Sequence, residues 1–322
     1  MLTYYQNQLY SLLGVASTTT LYTPTQINAY INEARDQVAM RGQCVRCLSP
    51  VSGPISSLQL VTGGSGYVST PTVTITGPDF PSGFLPTAQG VQATAVATLS
   101  GAQVNTIAIL SGGTGYFSPG IAFTNGSAAV SATATAIISN VTATVQGQEQ
   151  YPFSNILSAI QLNTAYSGIN SIVAVRSVAF VWGTFRYQRI ACSFSKYQAL
   201  VRTWSQAYQD IPSFVSQYGQ GVNGTLFMYP VPNAPYQYEA DAICLPVPLI
   251  DDNTFEAIPQ PWVDCVKYYA ASLALLGAGR YDDAMRMSND DPRAPGLFQQ
   301  QMQIARKSSE QSTVSNWYGR SV

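Results

Sequence analysis

An internal repeat constrains this chain more than any other feature of its sequence. The segment LQLVTGGSGYVSTPTVTITG at 58–77 returns as IAILSGGTGYFSPGIAFTNG at 107–126, which makes Tyr67 and Tyr116 equivalent at a period of 49 residues. Each copy predicts a strand, a glycine turn, a tyrosine that caps a small core, and a second strand set off by a proline. Two such copies predict a β-rich unit with its own core.

The repeat lies in a stretch whose composition differs abruptly from that of its flanks. From about Val51 to Val145 the chain consists mainly of Gly, Ser, Thr, Ala and Val, with almost no charge. Alternating small-residue strands follow each copy, at 93–97 and 131–136. We therefore predict an inserted domain over 51–147, hereafter the insert.

The glycines of the insert have two possible interpretations. We expect Gly63 and Gly64, with Gly112 and Gly113 in the second copy, to supply turns at positive φ. A phosphate-binding loop requires a following helix, and a P-loop also requires a lysine. Pro71 and a β-rich run follow GGSGY, and the insert contains no lysine, so the sequence predicts a turn.

The overall composition excludes several classes of function. The 322 residues include 15 Lys and Arg, 16 Asp and Glu and no His, for a net charge of −1. This balance argues against a basic nucleic-acid surface, a steered acidic substrate and histidine acid–base chemistry. A charged fraction of only 10% with 11% aromatic residues favours a surface in contact with other proteins, although a soluble monomer rich in Ser, Thr and Gln remains open.

The five cysteines do not form a recognisable framework. Cys44 and Cys47 make a C-x-x-C, but no second pair and no histidine exist to complete a zinc site. We predict buried structural thiols, no metal and no cofactor. The N-terminus lacks the features of a secretory signal, so we expect synthesis and folding in a reducing cytoplasm.

Two helices are predicted with clear boundaries. Thr23 as N-cap, Pro24 and Gln26 form a capping box that begins a helix over 24–42 with one apolar stripe. A second helix over 259–277 is apolar on nearly every side, which predicts a buried central helix. It is short for a membrane span, and no membrane partner is expected.

The remaining segments predict hairpins and a docking tail. Residues 170–194 predict one hairpin around Gly183, and 224–229 with 236–245 predict a second across the turn PVPNAP. A final amphipathic helix ends near 307. The polar segment 308–322 contains Val314, Trp317 and Tyr318, and predicts a tail that anchors its apolar side chains on a partner.

These elements predict an α+β protein with a helical bundle core, β-hairpins and an inserted all-β domain that contains a two-fold sequence repeat. The predicted parts are the N-terminal segment and first bundle helix (1–50), the insert (51–147), the remainder of the core (148–307) and the anchoring tail (308–322).

One resemblance connects these segments. The order TPTQINAYINEARDQV, a β-rich middle, YGQGVNGTLFMYPVPNAPYQYEADAICLPVPLIDD and IPQPWVDCVKYYAASLALL resembles the head-to-tail adaptor proteins of short-tailed bacteriophages, also called tail accessory or head-completion proteins. The similarity covers about 20–45 and 170–310, and its most specific part is YPVP…Y…LP.PL…IP.PW. The insert departs from the smallest members of that family.

The resemblance implies a ring of identical subunits, usually twelve, at the head–tail junction of a virion. Such a ring binds beneath the portal protein and above the tail tube, the nozzle or other tail proteins, and double-stranded DNA passes through its lumen. A nearly neutral chain suits a lumen that does not grip phosphates. We expect a non-enzymatic connector.

Two groups of residues are expected to make its contacts. Val314, Trp317 and Tyr318 are expected to bind the portal or a neighbouring subunit. Tyr268 and Tyr269 on the central helix are expected to pack between subunits.

Two alternatives remain open from the sequence. A phage tail protein that binds host-surface carbohydrate would use the tyrosines of the insert. A cell-wall hydrolase would use carboxylates among Glu149, Glu239, Asp241 and Glu256, but spacing alone places no pair at the separation glycoside hydrolysis needs, and G-x-S-x-G is missing.

Overall fold

The computed structural model describes residues 1–16, 21–79, 90–124, 126–162, 168–182, 185–203 and 208–311. These residues contain seven α-helices and fourteen β-strands. The helices are α1 (Leu2–Leu13), α2 (Pro24–Gly42), α3 (Phe153–Gln161), α4 (Phe194–Thr203), α5 (Val263–Gly277), α6 (Tyr281–Ser288) and α7 (Leu297–Gln311). The strands are β1 (Arg46–Leu48), β2 (Ile55–Thr62), β3 (Thr72–Ile75), β4 (Thr94–Ser100), β5 (Gln103–Ser111), β6 (Ile121–Thr124), β7 (Thr133–Ile138), β8 (Gln150–Pro152), β9 (Ile169–Trp182), β10 (Phe185–Gln188), β11 (Ile190–Ala191), β12 (Phe214–Tyr218), β13 (Thr225–Tyr229) and β14 (Tyr238–Pro246).

Two four-stranded sheets lie outside the insert. One has the order β1-β14-β9-β10 and is antiparallel throughout, and the other has the order β11-β12-β13-β8 with only β11 and β12 parallel. The predicted hairpin of 170–194 is confirmed as β9 and β10. The predicted hairpin of 224–245 is wrong, because β13 and β14 belong to different sheets. Three prolines in the connection at 230–235 cannot donate to a ladder, and the chain crosses there from one sheet to the other.

The predicted helical bundle core is wrong, because the main core is built from helices and both sheets together. Helix α2 buries the stripe that contains Ile27, Ile31 and Val38, and it contacts both α5 and β14. The same cluster includes Phe180 of β9 in one sheet and Met228 of β13 in the other. The strands bury alternate apolar side chains, so the helices cover a sheet instead of packing only on one another. The fold is therefore mixed α and β.

The two predicted helices are present with one shifted boundary. The capping box at Thr23 is confirmed, with the Gln26 N–H donating to the Thr23 hydroxyl. Helix α5 begins at Val263, four residues after the predicted start, because the Trp262 N–H donates to the Pro259 carbonyl in a preceding turn. Helices α1, α2, α6 and α7 all contact α5, which explains why it is apolar on nearly every side.

The insert pairs its two sequence copies strand by strand. Strands β2, β3 and β4 belong to the first copy and β5, β6 and β7 to the second, and the three ladders are β2–β7, β3–β6 and β4–β5. Contacts between β2 and β5, β3 and β4, and β6 and β7 give each strand a second neighbour. Because every ladder joins one copy to the other, neither copy can form this arrangement alone.

The equivalent tyrosines hold the two copies together. Tyr67 and Tyr116 are 5% and 0% exposed within the second hydrophobic cluster. The Tyr67 hydroxyl accepts the Ala132 N–H, and the Tyr116 hydroxyl accepts the Ala93 N–H, both at 2.7 Å. Each tyrosine therefore satisfies a backbone group of the other copy.

The glycine pairs serve two purposes. Gly64 and Gly113 adopt left-handed backbone at φ 64° and 60°, as predicted for the turns. Gly63 and Gly112 do not, so that part of the prediction is wrong. A Cβ at Gly112 would lie 2.4 Å from the Ile55 carbonyl oxygen, so these glycines permit close approach of β2 and β5.

Candidate functional site

The predicted contact residues fall in two places. Val314, Trp317 and Tyr318 lie outside the described residues. Tyr268 and Tyr269 lie in the middle of α5 and are partly buried against the main core. The ring of Tyr269 lies 5.1 Å from that of Phe298 on α7, and the Arg41 guanidinium lies 5.6 Å from both rings. Contacts within the chain account for the burial of Tyr269, and packing between subunits stays a prediction.

The carboxylates Glu239 and Asp241 lie on one strand, and arginines of two other strands of the same sheet pair with them. Arg186 of β10 donates through its Nε to both oxygens of Glu239 at 3.2 Å. Arg46 of β1 forms an ion pair with Asp241. A cross-strand ion pair accounts for the position of each carboxylate.

Glu149 also has a defined partner. The Tyr197 hydroxyl donates to Glu149 Oε1 at 2.5 Å and also lies 3.3 Å from the Met228 carbonyl. Burial, followed by the hydrogen bond to Glu149, raises the pKa of the Tyr197 hydroxyl above its ordinary value. The pair joins α4 to the strand β13 and to the segment before β8.

Glu256 belongs to a buried ion pair that fixes the loop before α5. Arg35 of α2 donates to Glu256 through Nε at 3.1 Å and Nη2 at 2.9 Å, and its Nη1 donates to the Val247 carbonyl at 2.8 Å. The side chains are only 1% and 7% exposed. Burial, and then the nearby Glu256 carboxylate, raise the pKa of the Tyr5 hydroxyl above its ordinary value. Arg35 thereby fixes the loop to α2.

Burial makes two of the five cysteines unreactive. All five are free thiols. Burial raises the pKa of both Cys44 and Cys265 to about 12, which keeps them protonated and unreactive near neutral pH. Across the described ranges, no group of three or more Cys, Asp or Glu side chains is arranged to hold a metal ion.

An exposed apolar strip follows the edge of one sheet. Phe185 and Tyr187 of β10 are 66% and 51% exposed, and their ring centroids lie 6.3 Å apart. Strand β10 is an edge strand of its sheet. The alternation of FRYQ shows that Phe185 and Tyr187 share a face, but the sequence does not reveal that this face is exposed.

A cleft of about 630 Å³ lies between the insert and the rest of the chain. None of the described side chains that line this junction cleft is charged. Its lining includes Ser118, Ile121, Ala136, Val141, Tyr236 and Gln237. The Gln237 Nε2 donates to the Phe117 carbonyl at 3.3 Å, and the Gln237 Oε1 is a buried acceptor without a partner in the described part of the chain.

The tyrosines of the insert, which motivated the alternative of carbohydrate binding, are not exposed. The rings of Tyr67 and Tyr116 are buried and their hydroxyls bind backbone. They are not available to stack against a sugar.

Comparisons with known proteins leave the site to be interpreted from its own geometry. No protein-family model matches the chain, and no curated protein matches it significantly. None of the helices over the described ranges has the length and apolar character of a membrane-spanning segment.

Proposed function

We propose that the protein is a structural subunit of a phage head-to-tail adaptor ring. In this proposal, copies of the chain, twelve in a typical ring, join the portal protein to the tail tube, the nozzle or other tail proteins. Double-stranded DNA passes through the lumen without sequence-specific contacts, and the protein resides at the head–tail junction of the virion. The resemblance of 20–45 and 170–310 to such adaptors motivates the proposal.

The exposed apolar strip on β10 is the observation that supports an assembly role. Two large aromatic side chains on an edge strand, more than half exposed, are costly to leave in water and are typical of protein contact surfaces. Phe185 and Tyr187 share one face of the strand, since side chains alternate between faces. A neighbouring subunit that covers this face would bury both rings.

The charge distribution is compatible with a passive channel. The 15 basic residues are balanced by 16 acidic ones, and the ion pairs Arg46–Asp241, Arg186–Glu239 and Arg35–Glu256 consume three of the basic groups. Binding to DNA depends on Lys and Arg that neutralise phosphates. A chain whose basic and acidic residues are nearly balanced favours DNA that slides through the channel over DNA that is held in it.

Mass photometry of the full chain, alone and with a purified portal protein, tests the proposal. We expect a monomer that becomes a ring on the portal. Phe185→Asp should abolish ring formation, because the interface would bury an unpaired carboxylate. Val222→Asp is a matched control, since Val222 is 82% exposed outside the strip.

Two results would contradict the proposal. One is a chain that stays monomeric with every portal offered. The other is a Phe185→Asp variant that assembles as well as the Val222→Asp control.

A further inference from the structure

The sheet with the order β1-β14-β9-β10 has β1 at one edge and β10 at the other. At the β1 edge, the Ser49 N–H donates to the Ala240 carbonyl at 2.9 Å. In an antiparallel pair, such hydrogen-bonded positions alternate with positions whose N–H and C=O groups point away from the partner strand. The backbone groups of Arg46 and Leu48 therefore point outward from the sheet.

The edge at β10 has the same pattern. The Arg189 N–H donates to the Val178 carbonyl at 2.8 Å, in the register of the β9–β10 ladder. By the same alternation, the backbone groups of Arg186 and Gln188 point outward. Over the described ranges, the outward N–H and C=O groups of both edges have no hydrogen-bond partner. Each edge thus offers two donors and two acceptors, two residues apart.

The two edges also fit each other in direction. All three ladders of this sheet are antiparallel, so β1 and β10 run in opposite directions. The β1 of a second copy, placed beside β10 with the same face of the sheet toward the core, continues the antiparallel order. Arg186 then lies opposite Leu48, and Gln188 lies opposite Arg46. All the outward groups are paired in this register, in four hydrogen bonds.

The same register covers the exposed rings of β10. Tyr187 lies opposite Phe180 of β9, and Phe180 is fully buried. Tyr187 and Phe185 therefore lie on the core side of the sheet, beyond the part that the chain itself covers. Cys47 of β1 belongs to the same core and is also buried. The register places Tyr187 opposite Cys47 of the second copy, next to the core of that copy.

We propose that β10 of one copy pairs with β1 of the next copy, so that the sheets of successive subunits form one continuous sheet around the ring. The inference rests on the proposed ring function, because it takes the partner to be a neighbouring subunit. Two β10 strands would also pair in antiparallel orientation, but that contact is two-fold symmetric and ends at a dimer. Pairing of β10 with β1 is heterologous, and a heterologous contact can be repeated until a ring closes.

A proline at an outward-facing position tests the edge at β10. Gln188→Pro removes the N–H that would donate to the Arg46 carbonyl at every contact, and it leaves the β9 ladder intact, as proline does on edge strands. Gln150→Pro is the matched control. Gln150 is an exposed glutamine on β8, an edge strand of the other sheet. Its N–H also points outward, because the Met228 N–H donates to the Glu149 carbonyl.

Mass photometry with the portal protein counts the rings that each proline variant forms. We expect at least about tenfold fewer rings from Gln188→Pro than from the wild-type chain, because one hydrogen bond is lost at each contact. Gln150→Pro should form rings as the wild-type chain does. A Gln188→Pro variant that forms rings as completely as the wild-type chain would overturn the inference.

Disulfide cross-linking tests which edge is the partner. Gln188→Cys and Arg46→Cys in one chain place two thiols at opposite positions of the interface. The Cα atoms of such a hydrogen-bonded pair lie about 5.5 Å apart, a separation that a disulfide spans. Oxidation with diamide on the portal should give a ladder of covalent multimers on a non-reducing gel. An equal mixture of the two single variants should give dimers only.

The single variants distinguish the two possible pairings. Neither should give multimers above the background of the wild-type chain. Dimers from Gln188→Cys alone would show that two β10 strands pair with each other, and would overturn the inference.

The two proposals fail separately. Rings that form on the portal while the double-cysteine chain gives no ladder overturn only the pairing of β10 with β1. A ladder from concentrated double-cysteine chain that never forms a ring with any portal overturns the adaptor function and leaves the strand pairing standing.

Discussion

Removing the hydroxyl of Tyr116 tests whether the two copies of the repeat stabilise each other. In Tyr116→Phe the ring keeps its place in the insert core, but the Ala93 N–H loses its acceptor at 2.7 Å. Ala93 is 3% exposed, so water does not replace the lost bond without a local rearrangement. Tyr67→Phe makes the same change at the Ala132 N–H in the other copy.

The expected loss of stability follows from that unsatisfied donor. A buried polar group left without its partner costs about 1–3 kcal/mol. The insert has little reserve against such a loss, because only nine apolar residues are buried in its cluster among the described residues, and three of those are alanines. We expect each single substitution to lower the free energy of unfolding of the insert by about 1–3 kcal/mol.

Urea denaturation followed by circular dichroism, with calorimetry as a second probe, measures the change. Tyr187→Phe is the control, because Tyr187 is 51% exposed and surface changes of this kind stay within about 0.5 kcal/mol. A Tyr116→Phe variant as stable as the Tyr187→Phe control would refute the argument that the copies depend on these hydrogen bonds.

Two further predictions follow from the buried groups. Glu256→Gln should lower the free energy of unfolding by about 3–5 kcal/mol, since it leaves Arg35 as an uncompensated buried charge. The ion pair of Glu239 is partly exposed, so Glu239→Gln should lower the free energy of unfolding by no more than about 1 kcal/mol. Urea denaturation measures both losses, and equal losses for the two variants would contradict this distinction. The raised pKa of Cys44 keeps its thiol protonated at about pH 8, so it should react slowly with a disulfide reagent, while the less buried Cys192 reacts first. The fastest phase of the reaction with the reagent should disappear in Cys192→Ser. A fast phase that disappears in Cys44→Ser instead would disprove this order.

Local chemistry in the sequence predicted individual elements well. Thr23 and Gln26 sit at the start of α2 as the capping-box pattern requires, because both hydrogen bonds form within one turn of helix. The apolar circumference of α5 correctly indicated a helix with neighbours on several sides. The start of α5 was misplaced because Pro261 suits both a helix and the turn that precedes it.

The candidate site was less accessible from the sequence. Gln237 and Ser118 are 119 residues apart along the chain, and only the contact between the insert and β14 brings them to one cleft. The exposure of Phe185 depends on β10 being an edge strand, and no local pattern states that. Such side chains form an exposed surface only once strand pairing has fixed which strand lies at the edge of the sheet.

The sequence by itself determined that the chain contains a two-copy β unit, where its turns lie, and which tyrosine of one copy corresponds to which of the other. Only the tertiary structure decided that each strand of one copy pairs with the other copy, that β13 and β14 separate into two sheets, and that helices cover a sheet instead of forming a bundle. The physical reason is that turns and caps depend on bonds between near neighbours. Strand pairing depends on burial and on backbone hydrogen bonds between distant segments. Because many strands share the same alternating pattern, the sequence does not show which of them pair.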